Sequence, residues 1–224
     1  MIDALRKRFA RDGVLADYKP DLTRDDLVRL SRILVIDDER PDLVDDLARE
    51  GYAVDHDAAG DDTAKIEKGI YHLVILDYAG VGKRFGKNQG LDILKRMKEV
   101  NPAVYVLAYT SKSLSAEQSD FYRLTDGTLS KDAGVQESLE KVEQSLREAL
   151  DLERLWRAAL VAGRIPEAQK GHLTALLVRS IRKRDPGSIL GGMAKVVGCS
   201  VRDTLVGKLV ELLIRLTVTK FMGP

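Results

Sequence analysis

His72-Leu73-Val74-Ile75-Leu76-Asp77-Tyr78 is a short apolar run that ends on a carboxylate. Four apolar residues in a row, two of them β-branched, read as a strand covered on both faces. In an open parallel α/β sheet, ligands bind just beyond the carboxyl ends of the strands. Asp77 therefore stands where chemistry is expected, facing a loop that starts Ala79-Gly80-Val81-Gly82.

Other strand-like runs end on similarly reactive residues. Arg32-Ile33-Leu34-Val35-Ile36 leads into Asp37-Asp38-Glu39, Ala103 to Tyr109 leads into Thr110-Ser111, and Thr128-Leu129-Ser130 leads into Lys131. Two bare carboxylates ~4 Å apart at an effective dielectric near 20 repel by ~4 kcal/mol. An acid pair beside a lone aspartate thus calls for a cation, and oxygen-only ligands suit Mg²⁺ better than zinc.

Between these runs lie amphipathic stretches: Pro41 to Glu50, Asp61 to Lys68, Leu91 to Val100 and Ser115 to Leu124, the last capped at Ser115. Tyr52-Ala53-Val54 supplies one more strand. Alternating strands and helices joined by right-handed crossovers give a parallel sheet between two helical layers. The expected fold class is α/β, a doubly wound five-stranded parallel sheet, followed by an all-α helical bundle.

The acid pair, the lone aspartate, the hydroxyl and the lysine, each at a successive strand end, resemble the receiver domain of two-component response regulators. The resemblance covers roughly Arg32 to Leu150. It implies a flavodoxin-like fold and a phosphoaspartate switch in which Asp77 takes a phosphoryl group from a histidine kinase or phosphotransfer protein. By the same resemblance Asp37, Asp38, Asp77 and the backbone carbonyl of Ala79 hold Mg²⁺, and Thr110, Ser111 and Lys131 contact the phosphoryl oxygens. A chain of this kind is a signalling switch and not itself an enzyme. The chemistry suits these roles independently: phosphoryl transfer needs positioning and charge cancellation more than covalent help. Two departures stand out. Lys131 is followed by Asp132 where receivers carry Pro, and Thr128 occupies the place of an aromatic relay, leaving Tyr109 or Tyr122 to substitute. The loop after Asp77, with Lys83, Arg84 and Lys87 among Gly80, Gly82, Gly86 and Gly90, reads as a mobile insert. It lacks the Gly-Lys-Ser/Thr ending of a nucleotide-binding loop.

Composition bounds the rest. The chain has 224 residues, 44% of them hydrophobic, with one cysteine, so no internal disulfide forms. Met1 to Gly13 carries charges throughout, unlike a signal peptide. Leu209 to Val218 is too short to span a bilayer and contains Glu211 and Arg215. The expectation is a cytoplasmic chain away from membranes. Its net charge of +1 hides an asymmetry: residues 151–224 carry 13 of the 36 basic residues and 6 of the 35 acidic ones. His56 and His72 show no metal spacing and read as structural or exposed.

Three domains are expected: a helical arm at 1–30, with short helices over Ile2 to Phe9 and, capped by Thr23, over Arg24 to Leu30; the receiver at 31–150; and a helical output domain at 151–224. From Gln136, the residues Leu139, Val142, Leu146, Ala149, Glu153, Trp156 and Leu160 follow a 3-4 spacing, which predicts one extended fifth helix over about 136–162. That helix is either a homodimer contact or a helix whose second half belongs to the next domain. Further helices are predicted over Glu167 to Lys183, over Ser188 to Val197, and from Ser200 onward. The back half admits two readings. One is a helical module for dimerisation or partner binding. The other is DNA binding, since residues 188–210 resemble a helix-turn-helix with Arg202 and Lys208 facing the groove and Arg179, Arg182, Lys183 and Arg184 supplying phosphate contacts.

Overall fold

The computed structural model of the chain describes residues 15–62, 64–111 and 119–221. Among the described residues two compact units emerge: residues 22–150, and residues 151–221 with residues 15–21. In the first, the order is α1 (Arg24–Leu30), β1 (Ile33–Ile36), α2 (Asp42–Arg49), β2 (Val54–Asp57), α3 (Ala64–Glu67), β3 (Leu73–Asp77), α4 (Gly90–Val100), β4 (Tyr105–Thr110), α5 (Ser119–Leu124), β5 (Gly127–Ser130) and α6 (Val135–Ala149).

The strands pair in parallel in the order β2-β1-β3-β4-β5. This is the flavodoxin-like doubly wound order, whose ligand-binding switch point lies between β1 and β3. Register aligns Ile36 with Leu76, Asp77 with Tyr109, and Thr110 with Ser130. The residues just past Ile36, Leu76, Tyr109 and Ser130 consequently share one edge of the sheet.

Alternation along each strand divides the core. Leu34, Ile36, Val74, Leu76, Val106 and Ala108 pack with Ile66 of α3, Leu94 and Met97 of α4 and Phe121 of α5. Ile33, Val35, Leu73, Ile75 and Leu107 are fully buried on the opposite face, where α6 packs on β3 and β4. Each such side chain contributes about 1.5–3 kcal/mol when withdrawn from water. α1 starts as expected: Thr23 Oγ1 accepts from Asp26 N–H, and Asp26 Oδ2 accepts from Thr23 N–H, a reciprocal capping box.

Several boundaries differ from the sequence expectation. β2 is Val54–Asp57, not Tyr52–Val54. As an edge strand it is only half-buried, so its polar Val-Asp-His-Asp sequence is tolerated, while Tyr52 turns into the core. α1 packs with the sheet unit and is no part of a separate arm, because Leu27 and Leu30 are buried there and Arg24 pairs with Glu50 and Glu143. The helix expected over Ile2 to Phe9, and the Ser115 cap of α5, lie outside the described residues.

The extended fifth helix does not form. α6 closes at Ala149, and a new helix α7 (Leu152–Ala162) opens at Asp151, whose backbone is extended and whose side chain accepts from Arg154 N–H at 3.0 Å. The apolar set restarts in a new phase with Leu152, Leu155, Trp156 and Ala159, and Glu153, which broke the predicted seam, is exposed.

The second unit comprises a 3₁₀ turn (Leu15–Tyr18), α7, α8 (Glu167–Lys183), α9 (Gly187–Val197) and α10 (Leu205–Phe221). α7 packs against α10, and α8 against α9. Leu155, Leu173, Leu177, Ile189, Val210 and Leu213 are among its buried residues, and the Trp156 indole N–H donates to Thr174 Oγ1 at 2.9 Å. α10 begins at Leu205, five positions after the expected Ser200 cap. Residues 198–204 form a connection longer than the three- or four-residue turn of a helix-turn-helix. Gly207 is required by close approach: a Cβ there would run into the carbonyls of Val201 and Arg202. Among the described residues no helix is long and apolar enough to cross a membrane.

Candidate functional site

The carboxyl edge of the sheet gathers most of the residues singled out above. Asp37, Asp38 and Asp77 each present a carboxylate oxygen, and these oxygens lie within 4.8 Å of one another. Asp37 and Asp77 follow or end the neighbouring strands β1 and β3, so parallel register alone brings them level. Asp38, one residue on, is exposed.

Lys131, just past β5, reaches across to this cluster. Its Nζ lies 2.7 Å from Asp77 Oδ2 and 2.7 Å from Asp37 Oδ2. The contact with Asp77 is a well-formed hydrogen bond. The contact with Asp37 is an ion pair of the same length whose hydrogen-bond geometry is poorer, at a carboxylate oxygen that is itself buried. Burial pulls the Lys131 ammonium down, but its bonds and attraction to Asp37 and Asp77 outweigh that and hold its pKa above the ordinary lysine value. Its Nζ also sits 5.2 Å from the centre of the Tyr109 ring. Burial raises the Tyr109 phenol; Lys131 opposes the rise, and Asp37, Asp42 and Asp77 reinforce it.

The supporting contacts fix the carboxylates individually. Asp37 Oδ1 accepts from Glu39 N–H at 3.1 Å, and Asp77 Oδ1 accepts from Tyr78 N–H at 2.6 Å. His56 Nε2 lies 2.8 Å from the Asp37 carbonyl, which can only accept, so this nitrogen carries the proton. His72 Nδ1 accepts from Arg32 N–H at 3.1 Å. Both histidines are structural, and His56 braces the backbone that aims Asp37.

A hard divalent cation suits this donor set. The donors are all oxygen, the cluster carries three carboxylates against one ammonium, and Asp37 Oδ2 has hydrogen-bonding capacity left over in a buried place.

Thr110 and Ser111 are less directly engaged. Thr110 Oγ1 lies 2.8 Å from the Ser111 carbonyl and 2.8 Å from the Tyr122 hydroxyl. Since the carbonyl accepts the threonine proton, Tyr122 donates to Thr110. Ser111 is exposed, and its backbone carbonyl is the group that meets Thr110. Tyr122 joins an aromatic run, with ring centres 5.5 Å apart for Phe121–Tyr122 and 5.3 Å for Tyr78–Phe121.

No family model and no curated protein matches the chain. Solved structures do. The first unit is similar to receiver domains. A CheY-like response regulator receiver domain protein from Methanospirillum hungatei JF-1 is 23% identical, with a TM-score of 0.46 over 54% of this chain and 96% of its own. The receiver domain of NtrX from Brucella abortus is 25% identical, with a TM-score of 0.44 over 51% of this chain and 97% of its own. NtrX from Brucella abortus in complex with ATP is 19% identical, with a TM-score of 0.47, and the match covers 75% of this chain but 40% of that one.

The loop after Asp77 is pinned, although its glycines and basic residues suggest a mobile insert. Gly90 N–H donates to the Tyr78 carbonyl at 3.0 Å, Gly82 N–H to the Ala59 carbonyl at 2.7 Å, and Gly80 N–H to Gln89 Oε1 at 2.8 Å. Its glycines answer steric needs: a Cβ on Gly80 would collide with the Asp38 carboxylate, and one on Gly90 with the Asp77 carbonyl. Gln89 and His56 are contributors that sequence pattern does not reveal. Neither carries a motif; the only signal for Gln89 is its place directly before a helix-opening glycine.

Proposed function

We propose that the chain is a response regulator of a two-component phosphorelay, with Asp77 as the phosphoacceptor. The observation that carries the reading is the convergence of Asp37, Asp38 and Asp77 with the Lys131 ammonium touching two of them. In the proposed reaction an Asp77 carboxylate oxygen bonds to phosphorus as the P–N bond of a donor phosphohistidine breaks. The electron pair leaves with the imidazole, which takes a proton from solvent, and an acyl phosphate remains. A histidine kinase or phosphotransfer protein supplies the phosphoryl group.

Asp37, Asp38, Asp77 and the Ala79 backbone carbonyl would hold Mg²⁺, which when bound cancels charge on the transferring phosphoryl oxygens. Lys131 supplies the second positive centre and moves from Asp77 Oδ2 to a phosphoryl oxygen. Thr110 turns its hydroxyl from the Ser111 carbonyl toward the same group, and Ser111 borders it. New charge at Asp77 then biases the position of Thr110 and, through Tyr122, of α5. The functional division is then 31–150 for the receiver and 151–224 for the output, a helical module for dimerisation or partner binding in a cytoplasmic signalling chain. In this reading the chain is a switch and performs no turnover on other molecules.

The test is mass spectrometry of the intact chain after incubation with an acyl-phosphate donor and Mg²⁺. One phosphoryl group is expected on the wild type and none on Asp77→Ala; equal labelling of both ends the assignment.

A further inference from the structure

The Ala79–Gly80 peptide is held by a side chain from the far end of the same loop. Gly80 N–H donates to Gln89 Oε1 at 2.8 Å. The described residues contain no cis peptide, so this unit is planar and trans, and its carbonyl points opposite to its N–H. Fixing the Gly80 N–H toward Gln89 therefore fixes the Ala79 carbonyl away from it. That carbonyl accepts no hydrogen bond from the described residues, whereas the Tyr78 carbonyl before it is taken by Gly90 N–H. Asp38 presses its carboxylate against Gly80 at the place a Cβ would fill.

Gln89 is itself unusual. It occupies the position before α4 where Ser, Thr, Asp or Asn would cap the helix, yet its side chain makes no cap. Its backbone sits at φ 50°, ψ −122°, a conformation glycine adopts freely and a residue with a Cβ adopts under strain. Glycine would relieve the backbone but has no amide oxygen to offer Gly80.

We propose that Gln89 is a positioning residue that holds the Ala79 carbonyl oxygen ready as a ligand for the divalent cation at Asp37, Asp38 and Asp77. The inference rests on the metal reading above. It assigns the strained glutamine a purpose: the strain is retained because the side chain orients a ligand.

The test is Mn²⁺ binding to the full chain by calorimetry and by loss of the free-ion paramagnetic signal, paired with Tm measured in chelator. The wild type is expected to bind one ion. Gln89→Gly is expected to bind it about tenfold more weakly, in the range typical for groups that orient metal ligands, while its Tm without metal is equal or higher because strain is released. Gln89→Glu, which keeps an acceptor for Gly80 N–H, is expected to bind at least as well as the wild type. Equal affinity of Gln89→Gly and wild type overturns the inference and leaves the metal site standing. A parallel fall in Tm and affinity overturns it too, since that pattern marks a merely structural side chain. A wild-type chain that binds no Mn²⁺ overturns the metal site and this inference with it.

Discussion

Lys131 Nζ stands 2.7 Å from the carboxylates of both Asp37 and Asp77, so one ammonium bridges two residues drawn from adjacent strands. The Asp37 side chain is only 3% exposed and Asp77 13%. Losing the ammonium leaves like charges facing each other in a largely dry place. Lys131→Met is expected to lower stability by roughly 1.5–3 kcal/mol without a divalent cation, the scale of a charged hydrogen bond. Adding Mg²⁺ should then raise its Tm more than it raises that of the wild type. Because the folded pKa of Lys131 is raised, its contribution is fully present below the ordinary lysine value and fades as pH climbs through the folded value. Denaturation midpoints between neutral pH and the alkaline range should decline in the wild type and stay flatter in Lys131→Met. A Tm unaffected by the substitution would show that the ion contact is not maintained in solution.

Thr110 gives its only hydroxyl proton to the Ser111 carbonyl and receives one from Tyr122. To donate to a phosphoryl group on Asp77 it must give up the Ser111 carbonyl, and movement of its oxygen toward that group stretches the bond from Tyr122. Tyr122→Phe removes one of those ties, worth about 1 kcal/mol, or roughly fivefold in an equilibrium. Beryllofluoride, which mimics the phosphoryl group, is expected to bind Tyr122→Phe about fivefold more tightly on that basis. Thr110→Val should bind it more weakly than the wild type. Titration with beryllofluoride under constant Mg²⁺ decides the matter, and identical affinities for Tyr122→Phe and wild type would show that Thr110 is not restrained by Tyr122.

The strand ends were readable because parallel sheets advertise themselves: buried strands are continuous apolar runs, and the polar residue that closes each run stands at the site. Asp37, Asp38, Asp77 and Lys131 were therefore legible from position alone. β2 is harder to place, because an edge strand need not be apolar and Asp55 to Asp57 offer no hydrophobic pattern. The junction of α6 and α7 was masked by a 3-4 spacing that runs through it by coincidence. Two local signs mark the break, the N-cap type residue Asp151 and the out-of-place Glu153, against a longer run of regular spacing. Gln89 and His56 act through single hydrogen bonds across the fold, which leave no trace in sequence spacing, whereas Tyr122 is visible as an aromatic but not as the partner of Thr110.

Gly80 combines φ +77° with a missing Cβ whose place is taken by the Asp38 carboxylate. Gly80→Ala must therefore strain the backbone and push Asp38 out of the cluster. A left-handed residue with a side chain costs on the order of 1–3 kcal/mol, and displacement of a carboxylate costs cation affinity in addition. Gly80→Ala is expected to show a lower Tm together with Mn²⁺ binding weakened by at least about tenfold, as for other disturbances around metal ligands. Gln89→Gly should lose affinity without losing stability, and comparing the two variants separates a blocked ligand from a misaimed one.

Asp151 decides that α6 and α7 are two helices. Its carboxylate accepts from Arg154 N–H at 3.0 Å and pairs with Lys19 at 3.1 Å. Burial raises its pKa, but the Arg154 bond and Lys19 together overcome that and leave it below the usual aspartate value. A depressed carboxylate stabilises the fold above its unfolded pKa, and that stabilisation is lost as pH falls through the folded one. Asp151→Asn keeps an acceptor oxygen but no charge, so it should lose the acid sensitivity while retaining most of the cap. Asp151→Ala should lose both, at about 1 kcal/mol for the cap. Denaturant titrations of the three chains at neutral pH and near pH 3 test this. The gap between wild type and Asp151→Asn should close at the lower pH, whereas the gap between Asp151→Asn and Asp151→Ala should persist. Equal stability of all three at neutral pH would mean that the helix break is set by Leu150 and its neighbours and not by the aspartate.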